Sequence, residues 1–464
     1  MKCTKLTERE QMRQVLDDQK YLNFTSEASL KVVEAYRRKY GRIDELLDAN
    51  PNILHLVHDD LESLSSSSKG RKAKYTTEIL FRAMLVHQIE ETALRDTVIR
   101  IAESDTLKAF IRLGNRTVPD FTFLDRAFKA ISTETWKMVN EELAGHAVKK
   151  YKIDVSRIRA DSTVVESNIH YPTDSSLLWD SYRVLSRLLH AVREAAPALC
   201  SHRFRDKKAK NDFVFITRYM RSGSTDRQVE LKRRYRRLLG HVRRLQGITK
   251  SLIPVLVHHE ELALRCIGME LQHYLPLTQT VCRNTERAAL KGEKVPASER
   301  IFSIFEEHTE LIKRGKSNKP VEFGHAVWLA QARQKFITDY EVMEQKEPDS
   351  DLLGEIAQRH KEAFRTFPKV VAADTGFRAG PEEMEKLSRH VETVAVPSRS
   401  PKGPKMETRW HHFRAGIEGS ISVLKRAFRI ATCFYRGFKS FSAAVGMAIF
   451  CHNLVNLAPR RAPA

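Results

Sequence analysis

The chain has 464 residues, of which 42% are hydrophobic, and it carries a formal net charge of +21 with an isoelectric point near 9.7. Its length exceeds what one hydrophobic core usually serves, and its basic balance favours a polyanionic partner, with nucleic acid as the first candidate. The six cysteines are scattered without a C-x-x-C pair, which argues against a zinc ribbon or a disulfide framework. The N-terminus lacks an apolar signal core, so we expect a soluble, cytoplasmic protein without a membrane role.

Helical patterning predominates in the first third of the chain. Residues 1–64 carry it together with many charges, and the run Ser-Ser-Ser-Ser-Lys-Gly-Arg at 65–71 predicts a flexible, basic linker. From Thr76 to about Ile131 apolar residues recur at helical spacing, interrupted by Gly114 and by the Val-Pro-Asp run at 118–120. Several short helices are therefore predicted there.

The pattern changes after Tyr151. Residues 155–165 mix β-branched and polar side chains and predict a strand that presents Asp161 near its end. Residues 175–319 return to helix, and residues 201–250 within them hold 16 Lys or Arg against 4 Asp or Glu. We therefore expect this basic segment to bind the polyanion.

Strands return beyond Pro320. Two alternating runs predict an antiparallel hairpin, a helix follows, and the apolar run 370–373 predicts a buried strand with Asp374 at its carboxyl end. A further helix, a strand, a loop with Pro401, Gly403 and Pro404, and a long helix from about residue 407 complete the order. The fold class predicted from this order is α/β (α+β), a mixed sheet flanked by helices. The predicted bounds of these elements are 321–329 and 336–342 for the hairpin, 352–364 and 381–390 for the helices and 393–396 for the last strand.

The last long helix carries a regular set of polar residues. His411, Arg414, Glu418 and Lys425 are separated by 3, 4 and 7 positions, so they share one helical face. Apolar residues form a second stripe, which predicts packing against the sheet. Its members are Phe413, Ile417, Ile421, Leu424 and Phe428.

Three carboxylates can converge in this arrangement, from Asp161, Asp374 and Glu418. Hard divalent cations such as Mg²⁺ or Mn²⁺ take oxygen ligands and bridge to phosphate oxygens, and two such ions can stabilise the attacking and leaving oxygens of an in-line displacement. The pattern therefore predicts a metal-dependent phosphodiester-cutting site. Taken singly, a strand-end Asp is usually a turn or helix cap, and an Arg-x3-Glu pair is usually a solvated helical ion pair.

The combination resembles a DDE transposase of bacterial insertion sequences, a superfamily with a ribonuclease-H-like catalytic domain and a Tyr-x2-Arg-x3-Glu-x6-Lys signature. His411 stands where that signature has Tyr. The resemblance implies that Asp161, Asp374 and Glu418 are the catalytic, metal-binding triad. It also implies that Arg414 and Lys425 support DNA strand handling. From the residues alone, His411 is a candidate to contact DNA or to position the scissile strand.

The resemblance also suggests a domain organisation. Residues 1–70 would form an N-terminal helical segment and linker, 71–150 a helical DNA-binding domain, and 151–174 with 320–458 the catalytic domain. Residues 175–319 would be a helical, basic insertion that separates Asp161 from Asp374. Its dense basic run would neutralise DNA phosphates without reading sequence, although a merely solvated basic face stays an alternative. The candidate DNA-binding residues are Lys232, Arg233, Arg234, Arg236, Arg237, Arg243 and Arg244.

The expected function is that of a transposase that binds the terminal inverted repeats of its element, cuts 3′ ends and joins them to target DNA. Its expected partners are double-stranded DNA and a second copy of the chain in a homodimer, in the cytoplasm at the nucleoid. Two alternatives stay open: a ribonuclease-H-like nuclease without strand transfer, and a catalytically silent protein that only binds DNA ends.

Overall fold

A computed structural model describes residues 30–64, 73–313, 319–398 and 406–460 of the chain. The predicted linker at 65–71 and the loop with Pro401, Gly403 and Pro404 lie outside these described residues. The described chain divides into two compact units, Met1–Glu166 with His325–Ala464 and Ser167–Gly324. The four domain boundaries drawn from the sequence stay predictions.

Among the described residues, the first unit begins with seven helices and ends with four more. Four of the early helices start at a side-chain cap; for example, the side chain of Thr76 accepts a hydrogen bond from the backbone N–H of Ile79, and Ser132 does the same for Thr135. The early helices are α1 Lys31–Asp48, α2 Asn52–Glu62, α3 Thr77–Ile89, α4 Leu94–Glu103, α5 Asp105–Phe110, α6 Phe121–Ala130 and α7 Thr133–Tyr151. The late helices are α12 Asp349–Phe364, α13 Pro381–Ser388, α14 Thr408–Ala427 and α15 Phe438–Leu457.

The second unit is mainly helical. Its helices pack around a hydrophobic core of their own, which includes Leu185, Leu238 and Leu271. The helices are α8 Asp174–Ala195, α9 Asp206–Tyr219, α10 Thr225–Leu256 and α11 Leu262–Thr285.

A mixed sheet of seven strands runs through the described part of the chain, in the order β2-β3-β1-β5-β6, with β4 paired to β3 and β7 to β1. The pairs β1–β5 and β5–β6 are parallel, whereas β3 pairs with β2 and β4 in antiparallel fashion. The strands are β1 Arg157–Ser167, β2 Glu310–Lys313, β3 Val321–Ala332, β4 Ile337–Val342, β5 Val370–Ala372, β6 Thr393–Ala395 and β7 Thr432–Cys433. The predicted fold class, helices around a mixed sheet, is confirmed.

The core of the first unit is shared between its early helices and its last helix. Trp136 on α7, Phe81 on α3 and Phe450 on α15 are fully buried and their rings lie within about 6 Å of one another. Among the described residues, α15 alone is long and apolar enough to cross a membrane, and 78% of that stretch is buried inside the protein, as in a core helix.

One predicted strand is shifted by two residues toward the C-terminus. The sequence predicts that Asp161 lies near the end of its strand, but β1 continues to Ser167 and places Asp161 near its middle. The physical reason is the β-branched run Thr163, Val164 and Val165, which is buried and keeps the chain extended beside β7.

Candidate active site

Two neighbouring parallel strands present Asp161 and Asp374 at the same level of the sheet. The β1–β5 register pairs Arg159 with Ala372 as its last step. Continuing that register by two residues brings Asp161 opposite Asp374. Because residues two apart on a strand face the same side, Arg159 and Asp161 project from one face of the sheet.

Asp161 lies in an electrostatically strained position. Burial first, then the negative charge of Asp374 and to a smaller extent that of Glu418, raise the pKa of its carboxyl to about 6, against the lowering effect of the Arg414 guanidinium. The backbone N–H of Ser162 also donates to Asp161 Oδ1 over 2.8 Å, which favours the ionised form. The carboxyl of Asp161 therefore interacts electrostatically with both other residues of the predicted triad.

Asp374 caps a short helical turn directly after β5. Its Oδ1 accepts a hydrogen bond from the backbone N–H of Gly376 over 2.8 Å, at the start of the turn Thr375–Phe377. Phe377 is fully buried and anchors the turn. This is the ordinary turn-capping role of an Asp, and it leaves the carboxylate half exposed beyond the carboxyl end of β5.

Glu418 lies on α14, one turn after Arg414. Arg414 Nη2 donates to Glu418 Oε1 over 2.8 Å, and the Glu418 side chain is 58% exposed. The helix contacts β5 and α15, and its buried residues are Ile417, Ser420 and Leu424. Glu418 thus flanks the packed face of the helix.

The other two residues of the predicted signature have different surroundings. His411 is exposed in the first turns of α14, and Lys425 is half buried near its end. Their predicted contacts with DNA stay predictions.

The carboxylates approach one another but do not form a closed ligand cage. In the part of the chain that the structure describes, no group of three or more His, Cys, Asp or Glu side chains is arranged to hold a metal ion. The ion pair between Glu418 and Arg414 accounts for part of this, because it occupies the third carboxylate.

The chemistry of the donors nevertheless fits a hard divalent cation, and a fourth carboxylate supports this. Asp349 at the start of α12 accepts from Ser162 Oγ through its Oδ2 over 3.2 Å, while its buried Oδ1 has no hydrogen-bond partner among the described residues. A Cβ atom built on Gly376 would lie 3.0 Å from Asp374 Oδ1 and 3.5 Å from Asp349 Oδ2. An unpartnered carboxylate oxygen beside Asp374 is the kind of acceptor that a cation satisfies.

Two neighbours of the site were not identified from the sequence, Asp349 and Arg159. Asp349 follows Pro348 and has the pattern of an acidic residue in a first helical turn, which gives no sign of a site. Arg159 carries a weak signal, since it is a charged residue in the interior of a predicted strand, two positions before Asp161. It is 5% exposed in the structure.

The basic residues predicted for DNA binding on α10 fall into two groups. Arg234 and Arg237 form ion pairs with Asp212, whose side chain is fully buried, at 2.9 and 3.3 Å. Arg233 and Arg234 also pair with Glu230, and Arg243 pairs with Glu286. Among the described residues Lys232, Arg236 and Arg244 form no ion pair, and all three are exposed. Arg234 and Arg237 thus compensate a buried carboxylate. The DNA contacts predicted for all seven residues stay predictions.

Residues 312–454 match the family model of the transposase DDE domain. The match confirms the resemblance to a DDE transposase. It includes Asp374, Arg414, Glu418 and Lys425 and begins after Asp161. No curated protein and no solved structure matches the chain.

Proposed function

We propose, from the premise that residues 312–454 form a transposase DDE domain, that the chain binds the terminal inverted repeats of its own element and moves that element. In this proposal it cleaves 3′ ends and transfers the freed strands to target DNA at one site formed by Asp161, Asp374 and Glu418. The family match carries the proposal, together with the parallel β1–β5 pairing that brings the strands of Asp161 and Asp374 side by side. The raised pKa of Asp161, which Asp374 and Glu418 raise and Arg414 opposes, supports it. The carboxylates of Asp161, Asp374 and Glu418 could bind a divalent cation, and the Arg414 guanidinium could bind a phosphate next to it.

Asp161, Asp374 and Glu418 would hold Mg²⁺ or Mn²⁺, with Asp349 beside them. Bound there, the cations stabilise the charge that develops on the attacking and leaving oxygens of a phosphodiester. Arg414 would exchange its bond with Glu418 for a forked contact to a DNA phosphate, which frees the carboxylate for the metal. Lys425 and His411 would hold the strand further along the same helical face.

The second unit supplies a route for non-specific DNA binding. Lys232, Arg236 and Arg244 are exposed cations on α10, and each could neutralise a phosphate without reading a base. Because an element has two ends, we also propose a homodimer in the active complex. Its place would be the cytoplasm, on the nucleoid DNA.

The test is incubation of the purified protein with linear DNA that carries the sequences flanking its own gene, in Mg²⁺ or in EDTA, beside the variant Asp374→Asn. Mg²⁺-dependent nicks at the element ends, products joined to target DNA, and loss of both in the variant are expected. Cutting that ignores the ends would favour a nuclease without strand transfer. Binding without cleavage in every metal would favour a protein that only occupies DNA ends.

A further inference from the structure

Arg159 is a buried cation at the base of the candidate site. It is 5% exposed, and among the described residues no carboxylate forms an ion pair with it. Burial lowers the pKa of its guanidinium to about 10. A buried charge without a counter-ion is costly, so a residue of this kind needs compensating hydrogen bonds and a reason to be there.

The compensation comes from two directed hydrogen bonds. Arg159 Nε donates to Gln331 Oε1 on β3 over 2.8 Å, and Nη1 donates to the backbone carbonyl of Phe413 on α14 over 2.6 Å. The guanidinium also lies over the Phe413 ring, with its Cζ 5.1 Å from the ring centroid. Arg159 therefore joins the strand to the interior of the helix that carries Glu418.

Gly416 provides the space that this contact requires. A Cβ atom at residue 416 would lie 2.6 Å from Cζ and 3.0 Å from Nη2 of Arg159, well inside van der Waals contact. The guanidinium can lie this close to the backbone of α14 because residue 416 has no side chain. By contrast, a Cβ atom at Gly419 of the same helix would meet nothing within 4 Å.

The sequence positions connect this contact to the site. Arg159 precedes Asp161 by two residues, and Gly416 precedes Glu418 by two residues. The buried stripe of α14 is narrow, with Ile417, Ser420 and Leu424 as its buried side chains. A guanidinium seated at Gly416 thus fixes how close the helix lies to β1 and how it is rotated about its axis.

We propose that Arg159 is a positioning residue, which sets the placement of Glu418 relative to Asp161 by seating its guanidinium at Gly416. This inference rests on the proposed function, because it assigns its role to the metal site described there. Loss of the contact would move the third carboxylate away from the other two without removing any metal ligand.

The experiment compares Gly416→Ala with the matched control Gly419→Ala in the full chain. Mn²⁺ affinity without DNA is measured by isothermal titration calorimetry, with thermal stability, DNA binding in EDTA and Mg²⁺-dependent cleavage measured beside it. Gly416→Ala is expected to weaken Mn²⁺ binding at least about tenfold, with DNA binding unchanged within a factor of about two. Gly419→Ala should match the wild type in all four.

A second variant, Arg159→Lys, keeps the charge and adds no atoms to α14. A lysine ammonium cannot make the two directed bonds of the fork, so Mn²⁺ affinity is expected to fall several-fold here too. This variant decides the question if Gly416→Ala does not fold. Wild-type Mn²⁺ affinity in a folded Arg159→Lys, or in a folded Gly416→Ala whose melting temperature alone is lowered, would overturn the positioning role.

The two proposals fail in different ways. A wild type that binds Mn²⁺ but does not cut element ends contradicts the proposed transposition, while the Mn²⁺ comparison still decides the role of Arg159. A wild type that cuts, with variants equal to it in Mn²⁺ affinity and cleavage, contradicts the role of Arg159 alone. A wild type that binds no Mn²⁺ overturns both.

Discussion

Arg414 Nη2 donates to Glu418 Oε1 over 2.8 Å across one turn of α14, so two of the predicted signature residues are bonded to one another. Glu418 is 58% exposed, and ion pairs at such sites contribute little, about 1 kcal/mol or less. A cation can therefore compete for the carboxylate.

The first prediction concerns this competition. Arg414→Gln removes the guanidinium that neutralises Glu418, so the DNA-free variant should bind Mn²⁺ more tightly, by up to about fivefold. Its Mg²⁺-dependent cleavage should fall, because the proposed phosphate contact is lost. Calorimetry with Mn²⁺ and a cleavage assay check the two halves. Weaker Mn²⁺ binding by Arg414→Gln would contradict the idea that Arg414 and the cation compete for Glu418.

The second prediction concerns the stability of the metal-free protein. The pKa of Asp161 is about 6 in the folded chain, against an ordinary value of 3.8. The folded state thus holds this proton more tightly than the unfolded state, and ionisation destabilises the fold as the pH rises from about 4 through 6. Asp161→Asn removes that penalty and should stabilise the metal-free protein by about 1 to 2 kcal/mol near neutral pH.

The gain should disappear below about pH 4, where both states are protonated in the wild type. Urea denaturation of wild type and Asp161→Asn in EDTA, over a series of pH values, measures it. A gain in stability that is the same at every pH would show that charge is not the cause. Added Mn²⁺ should stabilise the wild type and not the variant.

The third prediction concerns Asp349 beside the site, whose buried Oδ1 has no hydrogen-bond partner in the part of the chain that the structure describes. Asp349→Asn keeps an acceptor for Ser162 but removes the charge, so the Mg²⁺ concentration needed for half-maximal cleavage should rise several-fold. Asp351→Asn is the matched control, since Asp351 is exposed in the same first turn of α12. Equal Mg²⁺ requirements for the two variants would show that Asp349 does not contribute to metal binding.

The fourth prediction concerns Asp212, which is fully buried and pairs with Arg234 and Arg237. Arg234→Gln leaves the buried carboxylate with a weaker set of partners and should destabilise the protein by about 1 to 3 kcal/mol. Arg236→Gln, an exposed neighbour on α10, should change stability by less than about 0.5 kcal/mol. Urea denaturation followed by circular dichroism compares them, and similar midpoints would contradict the structural role of Arg234.

The fifth prediction concerns the free cations of α10. Replacing Lys232, Arg236 and Arg244 together by glutamine should weaken binding to any duplex and reduce the slope of log affinity against log salt by about 2 to 3. Stability should stay near the wild-type value, because these side chains form no ion pair among the described residues. An unchanged slope would mean that this face of α10 does not neutralise phosphates.

Much of the first unit follows from local pattern. The hairpin β3–β4, the short buried strand before Asp374 and the long helix with Arg414 and Glu418 are encoded by alternation, apolar runs and helical spacing, which act over a few residues. The bond between Arg414 and Glu418 is the solvated helical pair that the sequence offered as the ordinary alternative for this spacing.

The sequence by itself therefore determined the class of fold and the order of most strands and helices, because periodicity and residue type are local properties. It did not predict β2, which lies in a segment predicted to be helical, or β7. Only the tertiary structure decided which groups meet. The parallel β1–β5 pairing brings the strands of Asp161 and Asp374 side by side, Asp212 pairs with Arg234 and Arg237, and Arg159 lies against Gly416. Each of these is a contact between residues distant in sequence, set by packing and charge compensation, which no local pattern records.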